Sequence, residues 1–155
     1  MDLIRKLLFT YLVVLSITSA RGQSCLDFHT RTCPIPDFSY YYDQQSASFS
    51  MKVADTTELR AIVFEKSDYY VSVCAHKKIK RINLNIYEDT PQRKLLYSNS
   101  ANAYSDSVKF SNDLTQQLIF EVSIPVQGND KDDKRERCVG VLIAKRIRVE
   151  ALKID

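Results

Sequence analysis

The chain has 155 residues, 45% of them hydrophobic and 26% charged, with four Cys and no Trp. That length buries one core of ordinary size and is too short for two. The composition sits near the globular average and excludes a disordered, collagenous or polytopic membrane protein. The formal charge is only +3, far from the strongly basic balance that marks a nucleic-acid footprint.

Residues 1–22 read as a secretory signal peptide. Arg5 and Lys6 form a basic start, residues 7–17 a mostly apolar run, and Thr18-Ser19-Ala20 or Ala20-Arg21-Gly22 a small-residue exit. The run is shorter than the ~20 residues a membrane span needs. Cleavage after Gly22 is favoured over cleavage after Ala20 and makes Gln23 the new N-terminus. It removes Arg5, Lys6, Arg21 and Asp2, and so brings the formal charge from +3 to about +1. Export, to the periplasm or outside the cell, is the expected localisation, with no membrane span in the mature chain.

A short segment, 23–33, follows. It carries Cys25 and Cys33, while Cys74 and Cys138 lie far downstream. An even count in an exported chain reads as two disulfides, with three possible connectivities. The simplest joins Cys25 to Cys33 locally and leaves Cys74, at the end of one strand, to meet Cys138, at the start of another. Zinc is not expected, because its structural ligands come in closely spaced pairs and these cysteines do not.

From residue 34 onward period-2 patterning dominates, the mark of strands with one apolar face each. Tyr69, Val71 and Val73 alternate with Tyr70, Ser72 and Cys74. Ile82, Leu84 and Ile86 alternate with Asn83, Asn85 and Tyr87. Leu118, Phe120, Val122 and Ile124 alternate with Ile119, Glu121 and Ser123. Further strands are expected at 38–42, 46–53, 58–65, 94–98, 107–110 and 137–143. The tail 147–154 fits a strand or a short helix. Polar turns separate the strands at 66–68, 76–80, 88–93, 99–106, 111–115 and 127–136, and the scarcity of Gly implies longer Asn/Asp/Ser loops in place of tight primed hairpins. Regular short strands with no long helix predict an all-β fold: one antiparallel β-sandwich, jelly-roll-like, of about eight or nine strands over 34–155.

The stretch from Phe64 through Asp68-Tyr69-Tyr70-Val71-Ser72-Val73, then Leu84-Asn85-Ile86-Tyr87-Glu88, Leu95-Leu96-Tyr97-Ser98-Asn99, Phe110 and residues 118–124 resembles bacterial pre-peptidase C-terminal-type domains. Cys138-Val139-Gly140-Val141-Leu142-Ile143 is similar to the closing strand of small exported bacterial β-sandwich proteins. The resemblance covers about 60–143 and implies a sandwich fold and an exported compartment. These 155 residues depart from that pattern in carrying no catalytic domain beside the sandwich, so the resemblance implies no active site.

No constellation of residues points to catalysis. Cys74 and His76 share strand parity and Asp68 lies upstream, but no nucleophile elbow or Cys-protease signature accompanies them. Asn129, Asp130, Asp132 and Asp133 are interleaved with Lys131, Lys134 and Arg135, and Val141 stands where a calcium loop starting at Asp130 would need Glu. Neither a metal nor another cofactor is expected. The binding candidate is Tyr40, Tyr41 and Tyr42 with Phe38, Asp43, Gln44 and Gln45, where aromatic rings beside hydrogen-bonding groups suit a sugar or a protein partner. Tyr40 and Tyr42 fall on one strand face and Tyr41 on the other, and Tyr97 and Tyr104 are possible additions to the patch. The basic turn Lys77-Lys78-x-Lys80-Arg81 suits an anionic lipid or polysaccharide, or simply solvent. The function expected is a non-enzymatic exported module that binds a protein or glycan and no nucleic acid. The alternatives are a small hydrolase pairing Asp68 with Glu88 or Asp89, and a purely structural envelope component.

Overall fold

The computed structural model describes residues 25–128 and 133–148. They form two antiparallel sheets built from nine strands. These are β1 (Tyr41–Tyr42), β2 (Ala47–Met51), β3 (Thr56–Val63), β4 (Ser67–Ala75), β5 (Asn83–Glu88), β6 (Leu95–Ser98), β7 (Ser107–Asn112), β8 (Gln116–Ser123) and β9 (Arg137–Ile147). The expected strands are therefore all present, and the ambiguous tail lies outside the described residues beyond Arg148.

The first sheet runs β1-β9-β4-β7, and β2 continues along the same edge of β9 below β1. The corner between β1 and β2 is held by Ser46, whose Oγ accepts from the Ile143 N–H at 2.9 Å, and by the Asp43 N–H donating to the Ile143 carbonyl at 2.9 Å. The second sheet runs β3-β8-β5-β6. The facing sides meet in one core: Tyr69, Val71, Val73, Val139, Val141 and Ile143 from the first sheet against Ala61, Val63, Leu84, Ile86, Leu118, Phe120 and Val122 from the second. Each fully buried aliphatic or aromatic side chain here contributes about 1.5–3 kcal/mol.

On the second sheet the alternation holds in β3, which shows exposed residues between partly or fully buried ones, while β8 buries Leu118, Ile119 and Phe120 in succession. β4 departs from it, because every residue from Ser67 to Cys74 is buried. The cause is the segment before β1. A five-residue helix, α1 (Phe28–Thr32), with Cys33 and Pro34 behind it, lies across the outer face of the first sheet. Its Phe28 and Cys33 pack with Tyr70, Cys74, Leu142 and Ala144, and the Ser72 hydroxyl donates to the Pro34 carbonyl at 2.8 Å. The expectation of one apolar face per strand thus fails for β4 and its neighbour β9, each of which buries both sides.

The cysteines staple this strap. Cys25 bonds Cys138 and Cys33 bonds Cys74, with Cα–Cα distances of 5.2 and 4.8 Å. The expected pairs, Cys25 with Cys33 and Cys74 with Cys138, do not form. Cys74 stands opposite Gly140, two residues out of register with Cys138. Both strand cysteines face outward, and α1 separates Cys25 from Cys33 so that each reaches a different strand. Gly140 makes the close approach possible: a Cβ there would lie 2.7 Å from the His29 Cα and 2.9 Å from the Cys74 Sγ.

The scarcity of Gly is met in two ways, by non-glycine residues in tight turns and by a longer Asn/Ser loop. Asp27, Ala54, Lys66, Arg93, Ala103 and Tyr104 all take positive φ, so non-glycine residues carry turns at a cost of order 1–3 kcal/mol each. The long loop after β6 is fixed by Asn99. Its Oδ1 accepts from the Leu84 N–H at 2.8 Å, and its Nδ2 donates to the Ile82 and Ser105 carbonyls at 2.9 and 3.1 Å.

Candidate functional site

The strap leaves the sheet through Pro34-Ile35-Pro36, whose proline rings fix the local backbone. Asp37 then closes a tight turn: its carboxylate accepts from the Ser39 N–H at 3.0 Å and its carbonyl from the Tyr40 N–H at 3.2 Å. Phe38, at the tip of that turn, is fully exposed, and Ile35 is 72% exposed. Between this segment and β1/β9 lies a cleft of about 280 Å³, lined by Thr30, Ile35, Pro36, Tyr40, Tyr42, Leu142 and Ala144. Its walls are largely apolar.

Two tyrosines are held in place by different means. The Tyr40 ring packs tilted on Tyr70 at 6.2 Å, with the Arg146 guanidinium 5.0 Å and the Lys109 ammonium 5.6 Å from its centre. Tyr42 stacks on His29, and its hydroxyl lies 2.9 Å from His29 Nε2. The other ring nitrogen is 2.7 Å from Ser48 Oγ, which also accepts the His29 backbone N–H at 2.9 Å. Burial pushes the His29 pKa down, with the nearby Asp27 charge opposing. The imidazole is therefore a neutral link between the strap and two strands.

The residues singled out in sequence do not form one patch. Tyr40 and Tyr42 line the cleft. Tyr41 is 71% exposed but sits in register with Lys145, on the opposite side of the strand. Gln44 is exposed at the corner, and Asp43 is buried, salt-bridged to Lys145 at 2.9 Å. Burial opposes the charge on Asp43, yet the Gln45 N–H and Lys145 outweigh it and hold the carboxyl below the ordinary aspartate value. The stabilisation from a depressed carboxylate is present at neutral pH and is lost as pH falls below about 4. Asp43 is thus committed to the corner. Tyr104 lies elsewhere, under Arg81, and Tyr97 lines a separate apolar cleft with Ile86, Val108 and Phe110.

The other constellations are not assembled. Cys74 is oxidised. Asp68, on the first sheet, accepts from Ser111 at 2.7 Å and Arg146 at 2.9 Å, and the Ser111 hydrogen bond, with the arginines, holds its pKa down against burial. Glu88 and Asp89 lie at the end of β5 in the other sheet, facing Lys94 and Arg60. Asp133 is bound by Arg135 and Arg137, which hold it strongly ionised, and residues 129–132 lie outside the described residues. The strap with His29 and Ser48 was not legible as a site. The one signal was Gly140, a lone glycine inside an apolar strand, which marks close approach by another backbone.

No family model matches the chain, so the resemblance to pre-peptidase C-terminal-type domains rests on its strand motifs alone. No curated protein matches it. Among solved structures it is similar to PliG of Aeromonas hydrophila, a periplasmic lysozyme inhibitor of g-type lysozyme. The TM-score is 0.42 at 12% identity, over 73% of this chain and 90% of that one.

Proposed function

We propose that this chain is a non-enzymatic exported binding module that takes a protein partner on the aromatic cleft of its strap. The observation that carries the reading is the exposure of Ile35 and Tyr42 in the wall of one apolar cleft, with Phe38 exposed on the same segment, which is tied at one end by Cys33–Cys74 and at the other by the pairing of β1 with β9. Large side chains left in water on a rigid support suit anchoring, because little conformational freedom is lost when they are covered. Scattered exposed apolar residues are ordinary, whereas a clustered set around a cleft is the pattern of an interaction surface. Two closed disulfides and the leader-like first 22 residues support an oxidising, extracytoplasmic compartment. Among the described residues no helix is long and apolar enough to cross a membrane.

A double variant, Ile35→Ser with Phe38→Ala, tests this. Both side chains are exposed, so the unfolding free energy should stay within about 0.5 kcal/mol of the parent. Capture of proteins from the extracytoplasmic fraction of its own source should fall about 30-fold, the equivalent of about 2 kcal/mol at an anchor position. Unchanged capture by the variant, or retention only on a glycan array, contradicts a protein partner at this cleft.

A further inference from the structure

A second cleft lies on the other side of the strap, over the Cys33–Cys74 bridge. It holds about 290 Å³, and its walls include Thr32 and Pro34 from the strap, Lys80 and Arg81 from the turn after β4, and Tyr104 and Asp106 from the loop before β7. We infer that this cleft is a binding site for an acidic sugar, with Lys80 and Arg81 in its wall and Lys77 and Lys78, exposed on the same turn, adding positive potential at its rim.

The charge distribution carries the inference. Elsewhere among the described residues most cations are matched: Lys52, Arg60, Arg93, Lys94, Lys109, Arg137, Lys145 and Arg146 all face carboxylates within 4.0 Å, and Arg31 bonds the Leu26 carbonyl. Among the described residues, the four cations of 77–81 make no such pair. All four are exposed within five positions, an arrangement that repels itself and raises the local positive potential. The turn that carries them is rigid. The His76 N–H donates to the Cys138 carbonyl at 3.0 Å, the Ile79 N–H to the His76 carbonyl at 2.8 Å, and Ile79 and Ile82 pack on the core.

The other wall selects the class of anion. The Arg81 guanidinium lies 5.1 Å from the centre of the Tyr104 ring, forming a flat aromatic and cationic surface. Asp106 makes no ion pair among the described residues, and with the Thr32 hydroxyl it offers hydrogen-bond acceptors beside the cations. A bare anion gains nothing from a carboxylate neighbour, whereas a sugar acid presents hydroxyls to it and charge to the lysines. A membrane surface fits less well, because the apolar residues of the turn, Ile79 and Ile82, are turned inward and leave nothing to insert.

The test is binding of the oxidised protein to polygalacturonate, with polyglutamate, neutral dextran and phosphatidylserine vesicles as comparison probes, at about 0.15 M salt, where diffuse surface attraction is largely screened. The parent should bind polygalacturonate at least fivefold more tightly than polyglutamate and ignore dextran. Lys77→Gln/Lys78→Gln/Lys80→Gln/Arg81→Gln should weaken binding tenfold or more and Tyr104→Ala three- to tenfold. Lys52→Gln/Lys94→Gln, on paired surface cations, should stay within twofold. Should the quadruple variant misfold, the pair Lys77→Gln/Lys78→Gln replaces it, with an expected loss of at least threefold. No binding to polygalacturonate overturns the inference, as does equal binding to polyglutamate, preference for the vesicles, or equal loss in the control variant.

Discussion

The outer faces of the two sheets have the same backbone geometry and opposite chemistry. On the first sheet, Tyr70, Ser72, Cys74, Leu142 and Ala144 point outward and are buried, under the strap or against Tyr40 and Pro34. On the second, most outward residues reach water, with Ile119 the buried exception, and the polar ones satisfy one another. Glu58 and Glu121 face each other directly across β3 and β8, and Arg93 reconciles the like charges by bonding both, at 2.8 and 3.4 Å, while its guanidinium lies over Tyr87. Asn85 and the Tyr87 hydroxyl donate to the same Glu121 oxygen at 3.0 and 3.3 Å. An open face must be polar and self-bonded, and an apolar face must be covered. In this chain the segment that leads from the cover into β1 displays the exposed aromatic residues Phe38, Tyr41 and Tyr42.

The largest effect separating the faces should come from removing a disulfide. Cys25–Cys138 joins residues 113 apart and Cys33–Cys74 joins residues 41 apart. Loop-closure entropy assigns them about 5 and about 4 kcal/mol. Replacing either pair by Ala should lower urea-unfolding stability by roughly 2–5 kcal/mol and raise binding of a hydrophobic dye at the uncovered face. No change in dye binding would mean that the strap stays docked without its staples.

Next in size is Gly140→Ala, which drives a Cβ into the His29 backbone. An overpacking cost of about 1–3 kcal/mol is expected in the same assay. The comparison is Asn85→Ala on the open face, where only a partly exposed hydrogen bond is lost, worth about 1 kcal/mol.

Acid should act on the strap before it acts on the open face. A histidine whose folded pKa is depressed adds stability above its unfolded value and loses that contribution as pH falls through the folded value. The thermal midpoint should therefore begin to drop as pH falls below about 6.5, and His29→Gln should flatten that dependence. An unchanged slope in the variant would place the titrating group elsewhere. The smallest effect belongs to the open face. Arg93→Ala removes exposed ion pairs and should cost no more than about 1 kcal/mol, less at high salt.

How much of this was legible in the sequence follows from the same contrast. Strands show where side chains alternate between core and water, as at Leu118–Phe120–Val122 against Glu121 and Ser123. They were read correctly, and with them the two-sheet fold. Alternation cannot show which chain segment covers an outward apolar face, because Tyr70, Ser72 and Cys74 look half-polar whether or not something lies on them. Cysteine pairing failed for the same reason: sequence nearness favoured Cys25–Cys33, whereas the face of the strand on which Cys74 and Cys138 lie decided it. Of the tyrosine run, Tyr40 and Tyr42 line the cleft and Tyr41 does not, Asp43 is drawn into the corner by Lys145, and Phe38 and Ile35, outside regular structure, are the more exposed.

The central claim is that the segment before β1 is stapled across the first sheet and holds the aromatic cleft open. Peptide mapping of the oxidised protein under non-reducing conditions tests it most directly. The account predicts linked peptides containing Cys25 with Cys138 and Cys33 with Cys74. Peptides linking Cys25 to Cys33, or Cys74 to Cys138, would release the strap from the sheet and contradict it.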